Sequence, residues 1–367
     1  MTTTTVKGPF KADHVGSFLR PKRLKEARLQ KQNGEITAAQ LRAIEDEEIT
    51  RLVQKQKEVG LQAVTDGEFR RAWWHFDFLS ELVGVDLYET EQGIQFNGIQ
   101  TKAHGIKVID KVDFDGHPMI EDYKFLHNLA GDHVAKFTIP SPNMLFFRGN
   151  ISEEVYSDQN AFFDDVIKAY QKAIQAFYDA GCRYLQLDDT AWAVFFSEQG
   201  QEQIAQRGYE PKELAKLFTR AINESIENKP EDMVITMHIC RGNFRSTYVA
   251  SGGYDNASEY IFGELKVDGL FLEFDDARSG GFEPLKHVKR DDLQLVLGLI
   301  TSKFGELEDP EKVKGRLQEA AQYVGLDQIC LSPQCGFAST EEGNILTEEQ
   351  QWDKIRHVIN IANDVFK

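Results

Sequence analysis

Short apolar runs alternate along this chain with longer stretches of helical periodicity. Eight such runs end on polar residues: 10–17 (FKADHVGS), 61–68 (LQAVTDGE), 133–142 (HVAKFTIPSP), 183–190 (RYLQLDDT), 233–240 (MVITMHIC), 269–276 (GLFLEFDD), 293–302 (LQLVLGLITS) and 327–335 (DQICLSPQC). Their length and polar punctuation predict strands. Between them, apolar positions recur three and four apart, as in AAQLRAIEDEEITRLVQKQKEVG, AFFDDVIKAYQKAIQAFYDAG, PKELAKLFTRAINESIEN and PEKVKGRLQEAAQYVG. These stretches predict amphipathic helices. Several close on a glycine just before the next run (EVGLQ, DAGCR, YVGLD), where a helix usually ends in a left-handed residue.

Strands that alternate with helices predict a parallel sheet, and eight such units predict closure into a (β/α)8 TIM barrel. No glycine-rich dinucleotide fingerprint follows any run, which argues against an open doubly wound sheet. Polar tips at the C-terminal ends of the strands also suit a barrel, whose active sites are assembled at that face. Residues 84–131 break the rhythm: they alternate apolar with polar and carry several glycines. They read as a β-hairpin-like insertion after the second strand, a cover over the site or a contact that could support a homodimer. With no repeat and no low-complexity linker, residues 1–367 read as a single domain.

Composition narrows the function. Apolar residues make up 41% and charged residues 28%, an ordinary globular balance. The 59 acidic residues outnumber 42 basic ones, for a net charge of −17. That balance argues against nucleic acid or an anionic membrane as partner. The first residues, MTTTTVKGPF, lack the apolar core of a signal peptide, and no stretch approaches a membrane span. Four cysteines in so long a chain make no disulfide framework, so reduced thiols and a cytoplasmic location are expected.

The chemistry gathers at the strand tips. His238, Cys240, Glu273 and Cys335 close three separate apolar runs. His238 and Cys240 lie two apart and so share a face of their strand. One nitrogen, two sulfurs and one carboxylate oxygen suit tetrahedral Zn²⁺. Singly, each is more ordinary as a core or loop residue; together at matching tips they point to a metal. Ligands spread over about a hundred residues differ from a local structural knuckle, and a zinc there could ionise a thiol. Cys182 and Cys330, at strand beginnings, read as core.

Other tips suit a small amino-acid-like ligand. His14-Val15-Gly16-Ser17 offers backbone N–H groups and a hydroxyl to a carboxylate. Asp66-Gly67-Glu68 and Asp188-Asp189 could hold an ammonium group, with helix capping the competing reading, chiefly for Asp66 and Asp189. Trp73, Trp74, Phe76 and Phe78 could line a pocket or pack the following helix. Lys303, beyond the seventh strand, could reach the site from the rim.

The whole pattern resembles the catalytic C-terminal barrel of cobalamin-independent methionine synthase. HVGSF (14–18), TDGEFRR (65–71), QLDD (186–189), HIC (238–240), Glu273 and SPQCG (332–336) carry the resemblance, in matching order along nearly the whole chain. It implies zinc on His238, Cys240, Glu273 and Cys335, and homocysteine contacts at Val15, Gly16, Ser17, Glu68 and Asp188. The implied reaction is methyl transfer to the homocysteine sulfur, giving methionine. The donor would be 5-methyltetrahydrofolate, a methylated corrinoid protein or a small S-methyl compound.

Four departures bear on the donor. The full-length synthase has two barrels and this chain has room for one. Its Glu-Pro after Gln-Ile-Asp is lost in QLDDT, and the aspartate-x-histidine that supplies its proton donor reads Thr301-Ser302-Lys303. The polar residues after its Asp-Gly-Glu-Phe are replaced by Ala72-Trp73-Trp74. Lys303 is then the one candidate proton donor. The altered donor side also admits a zinc alkyltransferase acting on another thiol, of the epoxide–coenzyme M type. A zinc hydrolase is disfavoured because two thiolates reduce the metal's Lewis acidity, and a zinc-stabilised binding protein is the non-catalytic alternative.

Overall fold

A computed structural model describes residues 7–89, 95–96, 99–100, 104–247 and 251–367. In chain order the strands are β1 (Ala63–Val64), β2 (Val83–Glu89), β3 (Gln95–Phe96), β4 (Ile99–Gln100), β5 (His104–Asp113) and β6 (Val134–Pro140). They continue with β7 (Gly149–Ile151), β8 (Tyr184–Asp189), β9 (Val234–Ile239), β10 (Gly269–Glu273), β11 (Gln294–Ile300) and β12 (Ile329–Pro333). Seven of them form one curled parallel sheet in the order β1-β6-β8-β9-β10-β11-β12, with helices between successive strands. This is the α/β barrel architecture expected from the alternation.

Residues 10–18 lie between the two edges of that sheet. They pair with β12 through a single parallel bridge, Ala12 to Leu331. On the other side Thr65 Oγ1 donates to Gly16 O at 2.6 Å, and Phe18 N to Gly67 O at 3.1 Å. A full strand was expected here. The Asp13 carboxylate explains the shortfall, because it accepts from the backbone N–H groups of Phe10 (3.0 Å) and His14 (2.7 Å) and so takes donors a ladder would use.

Every residue of β8, β9 and β10 is buried, as in a parallel sheet covered on both faces. The helix Gln159–Asp179 shows the outer layer: Phe162, Phe163, Val166, Tyr170, Ala173, Ile174 and Phe177 fall three and four apart and are all buried. Each large apolar side chain so buried contributes about 1.5–3 kcal/mol. Cys182 and Cys330 are fully buried core residues, as expected.

The insertion after β1 contains the expected hairpin. β2 and β5 pair antiparallel, with Val85 opposite Val108 and Leu87 opposite Ile106, while β7 joins the free edge of β5 in parallel. Residues 118–130 of the irregular stretch form a regular helix, begun by His117, whose Nδ1 accepts from Met119 N, and by Pro118 at the first turn. Residues 90–94, 97–98 and 101–103 of that stretch lie outside the described residues. No helix among the described residues is long and apolar enough to cross a membrane.

Candidate metal centre and adjoining pocket

The ends of β9, β10 and β12 meet at one face of the barrel. Cys240 N donates to Asp189 O at 2.8 Å, extending the β8–β9 ladder one step past the strand, so His238 and Cys240 keep a common orientation. Glu273 is the last residue of β10, and Cys335 follows β12 by two residues. One candidate ligand atom from each of His238, Cys240, Glu273 and Cys335 falls within 4.8 Å of all the others. All four residues are buried, and the two Sγ atoms stand 3.6 Å apart.

Supporting contacts orient these groups. His238 Nδ1 lies 3.3 Å from Phe271 O, which can only accept, so Nδ1 carries the hydrogen. The ring is buried beside the Cys335 sulfur, which together with Asp188 and Glu273 raises its pKa to about 9 against the effect of burial. An imidazole, two thiols and a carboxylate gathered in one buried site fit a metal ion of the zinc type. Glu273 Oε1 accepts from Arg241 N at 3.1 Å, and Cys240 Sγ from Gly242 N at 3.2 Å. The side chain of Arg241 is tied to Gly252 O, Glu273 O and Tyr254 Oη. The two thiols share one proton: their mutual hydrogen bond holds Cys335 well below the ordinary thiol range and pushes Cys240 well above it.

Three of these four residues, all but Glu273, also border a narrow pocket on one side. Val15, Ser17, Glu68 and Asp188 line it together with His238, Cys240 and Cys335. Gly16 lies between the lining residues Val15 and Ser17 without lining the pocket itself: its φ is +140°, and a Cβ would sit 2.8 Å from Thr138 Cγ2. Gln186 Nε2 donates to both Val15 O (2.7 Å) and Asp188 Oδ1 (2.8 Å), joining the first segment to β8. Glu68 adopts φ +61°, an uncommon conformation for a non-glycine residue. Its Oε1 accepts from Thr138 Oγ1 at 3.2 Å, while Oε2 is buried without a partner. Burial raises the pKa of Glu68, and lifts Asp188 to about 7. Two desolvated carboxylates facing one cavity suit a cationic group.

The remaining candidates divide. Asp189 caps the following turn, accepting from Ala191 N and Trp192 N, and Asp66 Oδ1 accepts from Glu68 N at 2.9 Å. Trp73 and Trp74 line the pocket, whereas Phe76 and Phe78 pack in the core. Lys303 does not line the pocket. Its ammonium is buried 2.9 Å from Asp275 Oδ2, and the charges of Asp275 and Glu273 raise its pKa against the effect of burial. Sequence reasoning overlooked His75 and Arg148, which both line the pocket. His75 sits between Trp74 and Phe76 in a ring stack, and Arg148 ends the short helix after β6; neither belongs to a motif.

Residues 10–362 match the family described as "Cobalamin-independent synthase, Catalytic domain". The chain belongs to this family of methionine-synthase-type methyltransferases. It is 67% identical over 362 residues to "Uncharacterized protein YxjG" of Bacillus subtilis (strain 168), covering 98% of this chain and 96% of that one. A Listeria monocytogenes protein solved as a candidate vitamin-B12-independent methionine synthase is 50% identical, with 99% of each chain covered and a TM-score of 0.82. A B12-independent methionine synthase from Shewanella sp. W3-18-1, solved with selenomethionine, shares the fold at 19% identity, 98% coverage of each chain and a TM-score of 0.73.

Proposed function

We propose that this protein is a zinc-dependent methyltransferase that methylates the thiol of homocysteine to form methionine, with 5-methyltetrahydrofolate or a related compound as donor. One observation carries the reading: the four ligand atoms within 4.8 Å of one another sit beside a pocket bordered by Glu68 and Asp188. His238, Cys240, Glu273 and Cys335 would hold the ion. When bound, Zn²⁺ lowers the pKa of a coordinated thiol, so that sulfur is available as thiolate at neutral pH. Glu68 and Asp188 would receive the amino group of the acceptor, and Val15-Gly16-Ser17 its carboxylate. In this arrangement the two ends of the amino acid fix the direction of its sulfur, which supplies the orientation that displacement at a methyl carbon requires.

One observation favours a second reading, alkyl transfer to a different thiol as in the epoxide–coenzyme M type. Lys303, which stands where the resemblance implies a proton donor, is paired with Asp275 away from the pocket. Calorimetric titration of homocysteine into zinc-loaded and chelator-treated protein tests the first reading. Zinc-dependent binding, followed by methionine formation with a methyl donor, is expected. Binding of another thiol with homocysteine left out would move the assignment to the second, and a protein that takes up no stoichiometric zinc excludes both.

A further inference from the structure

Beside the metal pocket lies a much larger cleft of about 940 Å³, a volume that suits a small-molecule ligand. The two cavities meet at Arg148, Thr190 and Gly242, which line both. The cleft wall carries Arg148, Arg207 and Arg241 and, among the described residues, no aspartate or glutamate. That is an unusual wall in a chain of net charge −17. It is also aromatic, with Phe146 and Tyr209 in edge contact at 5.4 Å between ring centres.

The three arginines are not equivalent. Arg241 spends its donors on Gly252, Tyr254 and Glu273. Arg207 is exposed at the rim. Arg148 is half-buried, with its guanidinium carbon over the Phe147 ring, 4.7 Å from the ring centre. Among the described residues no carboxylate offsets its charge, and its buried Nε has no hydrogen-bond partner. Burial and repulsion from Arg207 lower its pKa to about 10, which still leaves it charged at neutral pH. A desolvated guanidinium without a counter-ion is costly unless a ligand supplies the charge.

We propose that Arg148 is the anion-recognition residue for the methyl donor, a small molecule that carries a carboxylate or phosphate group and enters through this cleft. This rests on the methyl-transfer reading and deepens it, since Arg148 stands where the donor cavity opens onto the acceptor pocket. The planar fork of the guanidinium matches either anion in a paired geometry. The aromatic wall would take the donor's apolar or planar part.

The test uses the full-length, zinc-loaded protein saturated with homocysteine, and titrates glutarate and inorganic phosphate calorimetrically. At least one probe should bind, and Arg148→Gln should weaken it by about tenfold or more, the loss of a charge-assisted hydrogen bond. Arg148→Lys should restore part of the affinity and guards against a Gln variant that fails to fold. Homocysteine affinity should change less than about twofold in either variant if its carboxylate lies elsewhere. Unchanged probe binding in Arg148→Gln overturns the proposal, as does absence of probe binding to the unmutated protein. A parallel loss of homocysteine affinity overturns it too, because it assigns Arg148 to the acceptor. Failure of the underlying reading looks different: the unmutated protein would bind the probes and not homocysteine.

Discussion

Cys240 and Cys335 are 95 residues apart in the chain, yet their sulfur atoms stand 3.6 Å apart at one face of the barrel. Two buried thiols at that separation repel once both are ionised, so in the protein alone one proton bridges them. The contact arises because β9 and β12 run parallel and end at the same face of the barrel, with β10 and β11 between them in the sheet.

Removing one member of that pair separates a metal role from a packing role. Cys335→Ser should weaken zinc affinity by at least about a hundredfold, since loss of even an outer partner of a metal ligand costs ten- to a hundredfold. Competition with a chromophoric chelator reads the change directly. Cys330→Ser serves as the contrast: Cys330 is fully buried but remote from the cluster, so zinc affinity should stay as it was. Equal zinc affinity in the Cys335 variant and the unmutated protein would remove Cys335 from the ligand set.

Glu68→Gln should act on the acceptor and leave the metal alone. Its unpaired Oε2 faces a desolvated pocket, and a charged hydrogen bond there is worth about 1.5–3 kcal/mol. The KM for homocysteine should therefore rise roughly ten- to a hundredfold with zinc stoichiometry intact. Steady-state kinetics beside metal analysis give both numbers. A variant that loses its zinc instead would show Glu68 holding the centre together rather than holding the substrate.

Much of the barrel was legible because parallel strands buried on both faces leave continuous apolar runs with polar tips. What was not legible depends on distant partners. The shortened pairing of residues 10–18 comes from Asp13, whose carboxylate also receives Lys136 Nζ (3.2 Å) and Tyr184 Oη (2.9 Å) from other strands. The helix 118–130 was absorbed into the irregular stretch because its start is marked by His117-Pro118 rather than by a common capping residue. The cluster of His238, Cys240, Glu273 and Cys335 could be collected from strand tips alone. Arg148 could not, because its feature is a missing counter-ion, and that is a property of the folded neighbourhood.

Acid should destabilise the protein through its buried histidines. Burial first, then the Lys136 charge, lowers His14 from 6.5 to about 4, with Asp13 and a contact to Ala63 O opposing. The folded state therefore keeps His14 neutral, while the unfolded chain binds a proton below pH 6.5. Stability is fully present above 6.5 and is lost as pH falls towards 4. Between pH 7 and 5 this one group should remove about 2 kcal/mol. His117, also lowered to about 4 by burial, adds its own share. Urea denaturation across that range should show a shallower slope in His14→Gln, which keeps a donor for Ala63 O. An identical slope would mean that His14 is not buried neutral.

Lys303 allows a proton-donor role to be weighed against a structural one. The Lys303–Asp275 pair is 4% and 3% exposed, so removing one partner strands a buried charge. Breaking such a pair costs about 3–5 kcal/mol, whereas replacing both partners is nearly neutral. Lys303→Met and Asp275→Asn should each lower stability by that order, and the double variant should recover most of it. Denaturant titration of the four proteins gives the coupling. If Lys303 instead delivers the proton to the departing donor, the double variant would remain as slow as the single one, and the alkaline limb of its pH–rate profile would vanish. The ion pair already occupies the ammonium at 2.9 Å and holds its proton more tightly, both of which oppose transfer. The expected outcome is therefore recovered stability in the double variant, with a pH–rate profile that matches the unmutated protein.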